Sequence, residues 1–215
     1  ARITVRTLLE IDAIHVNSEK PFILTSGIRS PVYIDCRKLI SYPKARGILM
    51  NFCSDIILDE IGPQKIDSLV GGETAGIPFA AFLAERLDLP MHYVRKKPKG
   101  FGIDAQIEGE RISGKKVVLI EDLTTDGGSK IKFCNVLRAA GAEVENTIVI
   151  FYYSIFPSVP EKLAEFGLKL HYLASWWDIL KFCRDEGANW SNRTLGEIEQ
   201  FLMAPQEWSE QNFGA

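Results

Sequence analysis

From Ser68 onward the chain alternates short apolar runs with amphipathic stretches. The pattern predicts strand Ser68–Gly71, helix Ile77–Leu87 and strand Met91–Arg95, then a polar interlude. It resumes with strand Lys116–Glu121, helix Ser129–Ala140 and strand Thr147–Tyr152, followed by helix Pro160–Phe166, strand Lys169–Leu173 and helix Trp177–Asp185. Runs such as Val117-Val118-Leu119-Ile120, separated by helices, predict an α/β fold with a parallel sheet covered on both faces. Upstream, Leu8, Leu9, Ile11 and Ile14 fit a short amphipathic helix. Phe22–Leu24 and Val32–Asp35 read as two strands joined by the turn Ser26–Pro31. Pro43 opens a helix with apolar positions at Ile48, Leu49, Phe52, Ile56 and Ile57, closed by Gly62-Pro63. The tail from Pro205 is polar with two aromatics and reads either as a loose end or as a partner contact.

Composition narrows the classes. The chain has 215 residues, 46% of them hydrophobic and 25% charged, enough for a sizeable core without staples. A net charge of −3 gives no whole-protein attraction to nucleic acid or anionic membrane. Cys36, Cys53, Cys134 and Cys183 are scattered and read as buried, reduced thiols. The first residues lack the apolar core of a signal peptide, and no run approaches the roughly 18 apolar residues of a membrane helix. The expectation is a soluble, cytoplasmic protein that contacts neither nucleic acid nor membrane.

In parallel sheets ligands bind beyond the carboxyl ends of the strands, so the residues after Val70, Arg95, Ile120 and Phe151 carry the functional reading. The strongest signal is Val117–Lys130, where a strand delivers Glu121-Asp122, then Thr124, Thr125, Asp126, Gly127, Gly128 and Ser129, and a helix begins. Glycines let the backbone wrap an anion, and amides at the helix start point at it. Hydroxyls add donors. Adjacent acids fit such a site if they hold sugar hydroxyls, or a divalent cation through water. The plainer reading is an acidic strand end and an ordinary capped helix. Gly71-Gly72-Glu73-Thr74-Ala75-Gly76 forms a second strand-to-helix turn, weak by itself. Arg95-Lys96-Lys97-Pro98-Lys99 places four cations in five residues, with Gly100 and Gly102 beyond as hinges.

The Val117–Lys130 segment resembles the 5-phosphoribosyl-1-diphosphate (PRPP) motif of type I phosphoribosyltransferases. The resemblance implies that family's parallel sheet flanked by helices, with an N-terminal hood. It also implies that Glu121 and Asp122 hold the ribose hydroxyls while Thr125–Ser129 wrap the 5′-phosphate. The turn with Thr74, Ala75 and Gly76 is similar to the family's pyrophosphate loop. Residues 95–110 resemble the catalytic loop of orotate phosphoribosyltransferases, which implies roles for Arg95, Lys96 and Lys99 in catalysis beside Asp122. It further implies a homodimer with shared active sites. Magnesium (Mg2+) is implied as a clamp on the diphosphate and ribose hydroxyls.

Phe22–Arg37 resembles the base-covering hood of the same family, including Ser26-Gly27, Ser30-Pro31 and Tyr33. The orotate contacts so implied are Ser26, Gly27, Tyr33 and Thr125, with Arg37 as carboxylate partner and Arg29 as a possible helper. The reaction implied is orotate plus PRPP giving orotidine 5′-phosphate and pyrophosphate. The corresponding division is 1–40 helix and hood, 41–175 PRPP-binding core and 176–215 helical extension. The sequence departs from the family pattern at several positions. Asp126 stands where a small or hydroxyl residue is usual, and is alternatively a cap for the following helix. Ala75 and Thr25 replace frequent lysines, Phe101 replaces a frequent histidine, and no arginine follows Tyr153. Two other readings stay open, a phosphoribosyltransferase for another base and a PRPP-sensing regulator without turnover. His15, His92 and His171 follow no metal spacing and read as surface or packing residues.

Overall fold

The computed structural model describes residues 1–24, 26–99, 106–187 and 190–213. Helix α1 (Arg2–Glu10) leads into strand β1 (Ile14–Val16), and β2 (Phe22–Ile23), β3 (Arg29–Ser30) and β4 (Val32–Ile34) follow. A 3-10 turn over Cys36–Ser41 enters α2 (Pro43–Asp55), whose last turns widen to π geometry over Ile56–Ile61. Then come β5 (Ser68–Gly72), α3 (Gly76–Leu87), β6 (Met91–Val94), β7 (Ile107–Glu108), β8 (Lys116–Thr124), α4 (Gly128–Ala139), β9 (Glu143–Tyr152) and α5 (Val159–Glu165). The chain closes with β10 (Lys169–Ser175), α6 (Trp176–Glu186), α7 (Asn192–Met203) and α8 (Pro205–Phe213).

The main sheet has the order β10-β9-β8-β5-β6-β7. Its first five strands pair in parallel, and β7 returns antiparallel to β6. The two-residue period of the strands divides the core between the faces. Val118 and Ile120 of β8 pack with α1–α3, the hood and α6–α8. Val117 and Leu119 pack with Phe133, Cys134 and Leu137 of α4 and with α5. The chain order reverses between β5 and β8, the position where α/β sheets open a crevice at their carboxyl edge.

The periodic α/β region folds as its pattern predicts, apart from one short element. The polar interlude before Lys116 contains β7, which gains its place by pairing with β6 rather than from any apolar period of its own. Its hinge Gly109 (φ 125°) lies against His92, whose ring is anchored by Ser68 Oγ (2.6 Å) and the Glu110 carbonyl (3.0 Å). His171 is likewise buried, between Glu60 (3.1 Å) and Asn146 (3.0 Å). Burial depresses both imidazoles below the usual range. All four cysteines are free and buried, and burial lifts the Cys53 and Cys134 thiols to about 12 and Cys183 to about 11.

The N-terminal hood departs from the expected hairpin. Helix α1 stops at Glu10, Asp12 reverses the chain with φ 54°, and Ile14 belongs to a strand instead of the helix. Pro31 splits the segment, so β2 pairs with Arg29–Ser30, which the pattern assigned to the turn, and β4 pairs with β1. Gly27 (φ 85°) makes the tight reversal, its amide donating to the Leu24 carbonyl (2.8 Å).

The tail from Pro205 is neither loose nor polar throughout. As α8 it buries Trp208 edge-on against Phe201 of α7 (5.5 Å between ring centroids), and the Arg29 amide donates to Ser209 Oγ (3.1 Å). Ser18 Oγ donates to Glu197 of α7 (2.6 Å), so both C-terminal helices hold the hood. Truncating a buried Trp removes packing worth about 3 kcal/mol. Trp208→Ala should therefore lower the urea midpoint with an unchanged slope. An unaltered midpoint would show that α8 adds nothing to stability.

Candidate functional site

At the carboxyl edge of the sheet lies a cavity of about 530 Å³. It is lined by Ser26 of the hood, by Arg95 and Lys96 beyond β6, and by Thr124, Thr125, Asp126, Gly128 and Ser129 beyond β8. Three segments remote in sequence thus converge on the place that the strand-end rule selects. Thr74, Ala75, Gly76, Gly27, Tyr33, Arg37 and Lys99 are not among the lining residues. The turn of residues 73–76 is nevertheless bound to the site, because the Lys96 amide donates to Glu73 (2.6 Å) and the Glu73 amide to the Val94 carbonyl (2.9 Å). The Glu73–Thr74 peptide is cis. Lys99 is exposed further along the basic stretch. Thr25, Gly100, Phe101, Gly102, Asp104 and Ala105, which the sequence reading also used, lie outside the described residues.

The two acids at the end of β8 separate by strand geometry. Odd positions of β8 face α4 and even positions face the hood, so Glu121 and Asp122 leave the strand on opposite sides. Glu121 is 6% exposed and accepts from Lys130 Nζ (2.9 Å), itself 2% exposed. Its other oxygen lies against the glycine turn, where a Cβ at Gly76 would fall 2.8 Å from Oε1 and a Cβ at Gly72 would strike the same carboxylate. Burial pushes the Glu121 carboxyl above the usual range, and Lys130 pulls it back. Asp122 is partly exposed and sits among the charges of Lys130 and Arg37, with the Leu123 amide on its Oδ1 (2.9 Å). Burial raises its carboxyl too, opposed first by Lys130 and then by the Leu123 amide.

The phosphate turn is built for close approach. Gly127 takes φ 73° at the N-cap of α4, a conformation that disfavours any side chain. Asp126, the departure from the family pattern, turns its carboxylate back onto the Gly128 amide (3.0 Å) and so caps the helix start. Thr124 is buried at the strand end, while Thr125 and Ser129 reach the cavity surface. In the basic stretch, Arg95 forks onto Glu108 (3.0 and 2.8 Å) and also donates to Tyr93 (3.3 Å). In the hood, Arg37 is held by Asp35 (3.1 Å) and the Tyr33 hydroxyl (3.1 Å), and Tyr33 stacks on Phe22 (5.4 Å).

Sequence reasoning missed four cavity residues that the structure adds, Gln106, Lys130, Lys132 and Phe133. Ser129, Lys132, Phe133 and Val136 line it from α4 at spacings of three and four, one helical face, and that signal was available. Lys130 had no such signal, since a lysine near a helix start reads as solvated.

Among the described residues no group of three or more His, Cys, Asp or Glu could hold a metal ion, and no helix is long and apolar enough to cross a membrane. Residues 43–179 match the family model described as the phosphoribosyl transferase domain. The orotate phosphoribosyltransferase of Dinoroseobacter shibae is 55% identical over 98% of this chain and 92% of its own length. That of Sinorhizobium fredii is 52% identical over 100% of this chain and 92% of its own. The solved orotate phosphoribosyltransferase of Aeropyrum pernix superposes with a TM-score of 0.72 at 30% identity, covering 86% of this chain and 99% of that one. The UMP synthase of Leishmania donovani gives a TM-score of 0.80 at 25% identity over 94% of this chain, which spans only 42% of that protein. Sheet order, phosphate turn and whole-length likeness agree, and the chain belongs to the orotate phosphoribosyltransferase family.

Proposed function

We propose that this chain is a pentosyltransferase that moves the 5-phosphoribosyl group of PRPP onto orotate, giving orotidine 5′-phosphate and pyrophosphate in de novo pyrimidine (UMP) synthesis. The observation that carries the reading is the cavity where the hood, the basic stretch and the phosphate turn meet. In the transfer the bond from ribose C1 to the diphosphate oxygen loosens and its electron pair leaves with pyrophosphate. Positive character gathers on the ribose while the orotate nitrogen attacks from the opposite face. No protein nucleophile is needed, so positioning and electrostatics supply the catalysis.

Each segment then has a task. Thr125–Ser129 wrap the 5′-phosphate with amides and hydroxyls, and Asp126 stays turned away on its own helix cap. Asp122 holds ribose hydroxyls from the hood side, and Glu121 supports them from beneath. The turn Thr74–Gly76 faces the diphosphate with backbone amides, because Ala75 offers no cation there. Arg95, Lys96 and Lys99 neutralise charge growing on the leaving diphosphate. Ser26, Gly27, Tyr33 and Thr125 bound the orotate ring, with Arg37 as partner for its carboxylate. The donor set fits magnesium held mainly by the substrate's own oxygens, with Asp122 the nearest protein carboxylate. When bound it would neutralise the diphosphate. The protein works as a homodimer in the cytoplasm, and residues 95–110 of each subunit complete the partner's site.

Three outcomes test this reading. A carboxyl whose pKa is raised by folding costs stability while ionised, and that cost vanishes as pH falls through the raised value. Asp122→Asn should thus melt higher than the parent at neutral pH and lose that advantage in acid, while orotate-dependent pyrophosphate release disappears. Retained turnover would remove Asp122 from the site. Lys99→Ala should lower turnover without lowering the melting temperature. Mixing it with Asp122→Asn should restore activity, since one composite site of the hybrid dimer keeps both residues. No recovery despite proven subunit exchange would refute shared sites. Arg37→Met should weaken orotate binding by about 2 kcal/mol, the worth of a hydrogen bond to a charged group, and leave PRPP binding unchanged. Saturation by orotate at its original concentration would make Arg37 a structural residue.

A further inference from the structure

Lys130 has no role in the mechanism above, yet it is among the most buried side chains of the protein and borders the cavity. Its ammonium carries three N–H donors and no acceptor. All three directions are used: one meets Glu121 Oε2 (2.9 Å), one the Leu123 carbonyl and one Ser129 Oγ (3.3 Å). These partners are the base, the entry and the exit of the phosphate turn. A buried ammonium without a carboxylate partner is costly, and Glu121 removes that cost. Glu121 in turn packs against Gly72 and Gly76, so the ammonium is also fixed relative to the second turn.

The contact to Ser129 has a directional consequence. Because the ammonium can only donate, Ser129 Oγ must accept from it, and its own O–H is left to donate elsewhere. Ser129 is exposed at the cavity surface, so that proton faces the cavity. Resting on the reading of the cavity as a PRPP site, we propose that Lys130 is a positioning residue for the 5′-phosphate. Held by Glu121, it closes the turn through the Leu123 carbonyl and presents the Ser129 hydroxyl as a ready donor to the phosphate dianion. A lysine facing the phosphate directly would add attraction but no such orientation. Here its charge is balanced by Glu121, and its effect passes through Ser129.

The test is a double-mutant cycle read by calorimetric titration with PRPP and magnesium. Ser129→Ala, which removes only an exposed hydroxyl, should weaken PRPP binding about tenfold, the worth of one hydrogen bond to a charged group. Lys130→Met should weaken it at least as much. The double variant should bind no more weakly than Lys130→Met alone, because the hydroxyl loses its orientation once the ammonium is gone. At saturating PRPP the KM for orotate should be unchanged in all three. If the two losses multiply to roughly a hundredfold, the residues act independently and the proposal falls. Should Lys130→Met fail to fold with Glu121 left unpaired, the Glu121→Gln, Lys130→Met pair removes both charges and serves as the same corner of the cycle. Unchanged PRPP affinity in Ser129→Ala overturns the proposal whatever the lysine variants do. A parent protein that binds PRPP with this coupling but does not turn over orotate would refute the base assignment and leave the role of Lys130 standing.

Discussion

The contact of Gly72 and Gly76 with the end of β8 is the constraint on which the site depends. At neither position is there room for a Cβ, since Glu121, Phe133 and the Ile120 carbonyl occupy the space. That closeness brings the turn after β5 beside the turn after β8 and makes one crevice of two loops. It also buries Glu121, and a buried carboxylate demands a cation. Lys130 is that cation, placed by the first turn of the helix that the phosphate turn begins. Backbone proximity, charge pairing and loop geometry are therefore one arrangement, and none of the three can change alone.

A site for a highly anionic substrate contains three carboxylates within six residues, Glu121, Asp122 and Asp126. The structure reconciles them by direction. Glu121 is neutralised from within by Lys130, Asp126 is spent on the Gly128 amide, and Asp122 alone retains a partly exposed face toward the hood. The positive side of the balance comes from α4 amides and the basic stretch after β6. That stretch is held in place by acids outside the cavity, with Glu108 on Arg95 and Glu73 on the Lys96 amide.

The parallel sheet and its helices were legible because each strand carries a local apolar run and each helix a 3.6-residue period. The phosphate turn was legible because its acids, hydroxyls and glycines are contiguous. The hood was only half legible, since strands of two or three residues carry no period and their pairing is decided by distant partners. β4 finds β1 across sixteen intervening residues only once Pro31 has separated it from β3. The opposed directions of Glu121 and Asp122 follow from strand alternation, but which side meets a cation depends on α4. In α7, the Ser191 N-cap and the spacing of Leu195, Ile198, Phe201 and Leu202 mark a helix that the sequence already signalled.

The C-terminal helices grip a hood made from the first forty residues, through Ser209 on Arg29 and Glu197 on Ser18. A polypeptide is synthesised from its N-terminus and domains form as they emerge. The segment that begins translation therefore waits for the segment that ends it, whereas the sheet and both turns can assemble in between. A nascent chain still lacking α7 and α8 would own its phosphate turn and have no fastened lid. Competence for the sugar phosphate would precede competence for the base, so the order of synthesis itself withholds a finished pocket until the last helices have left the ribosome.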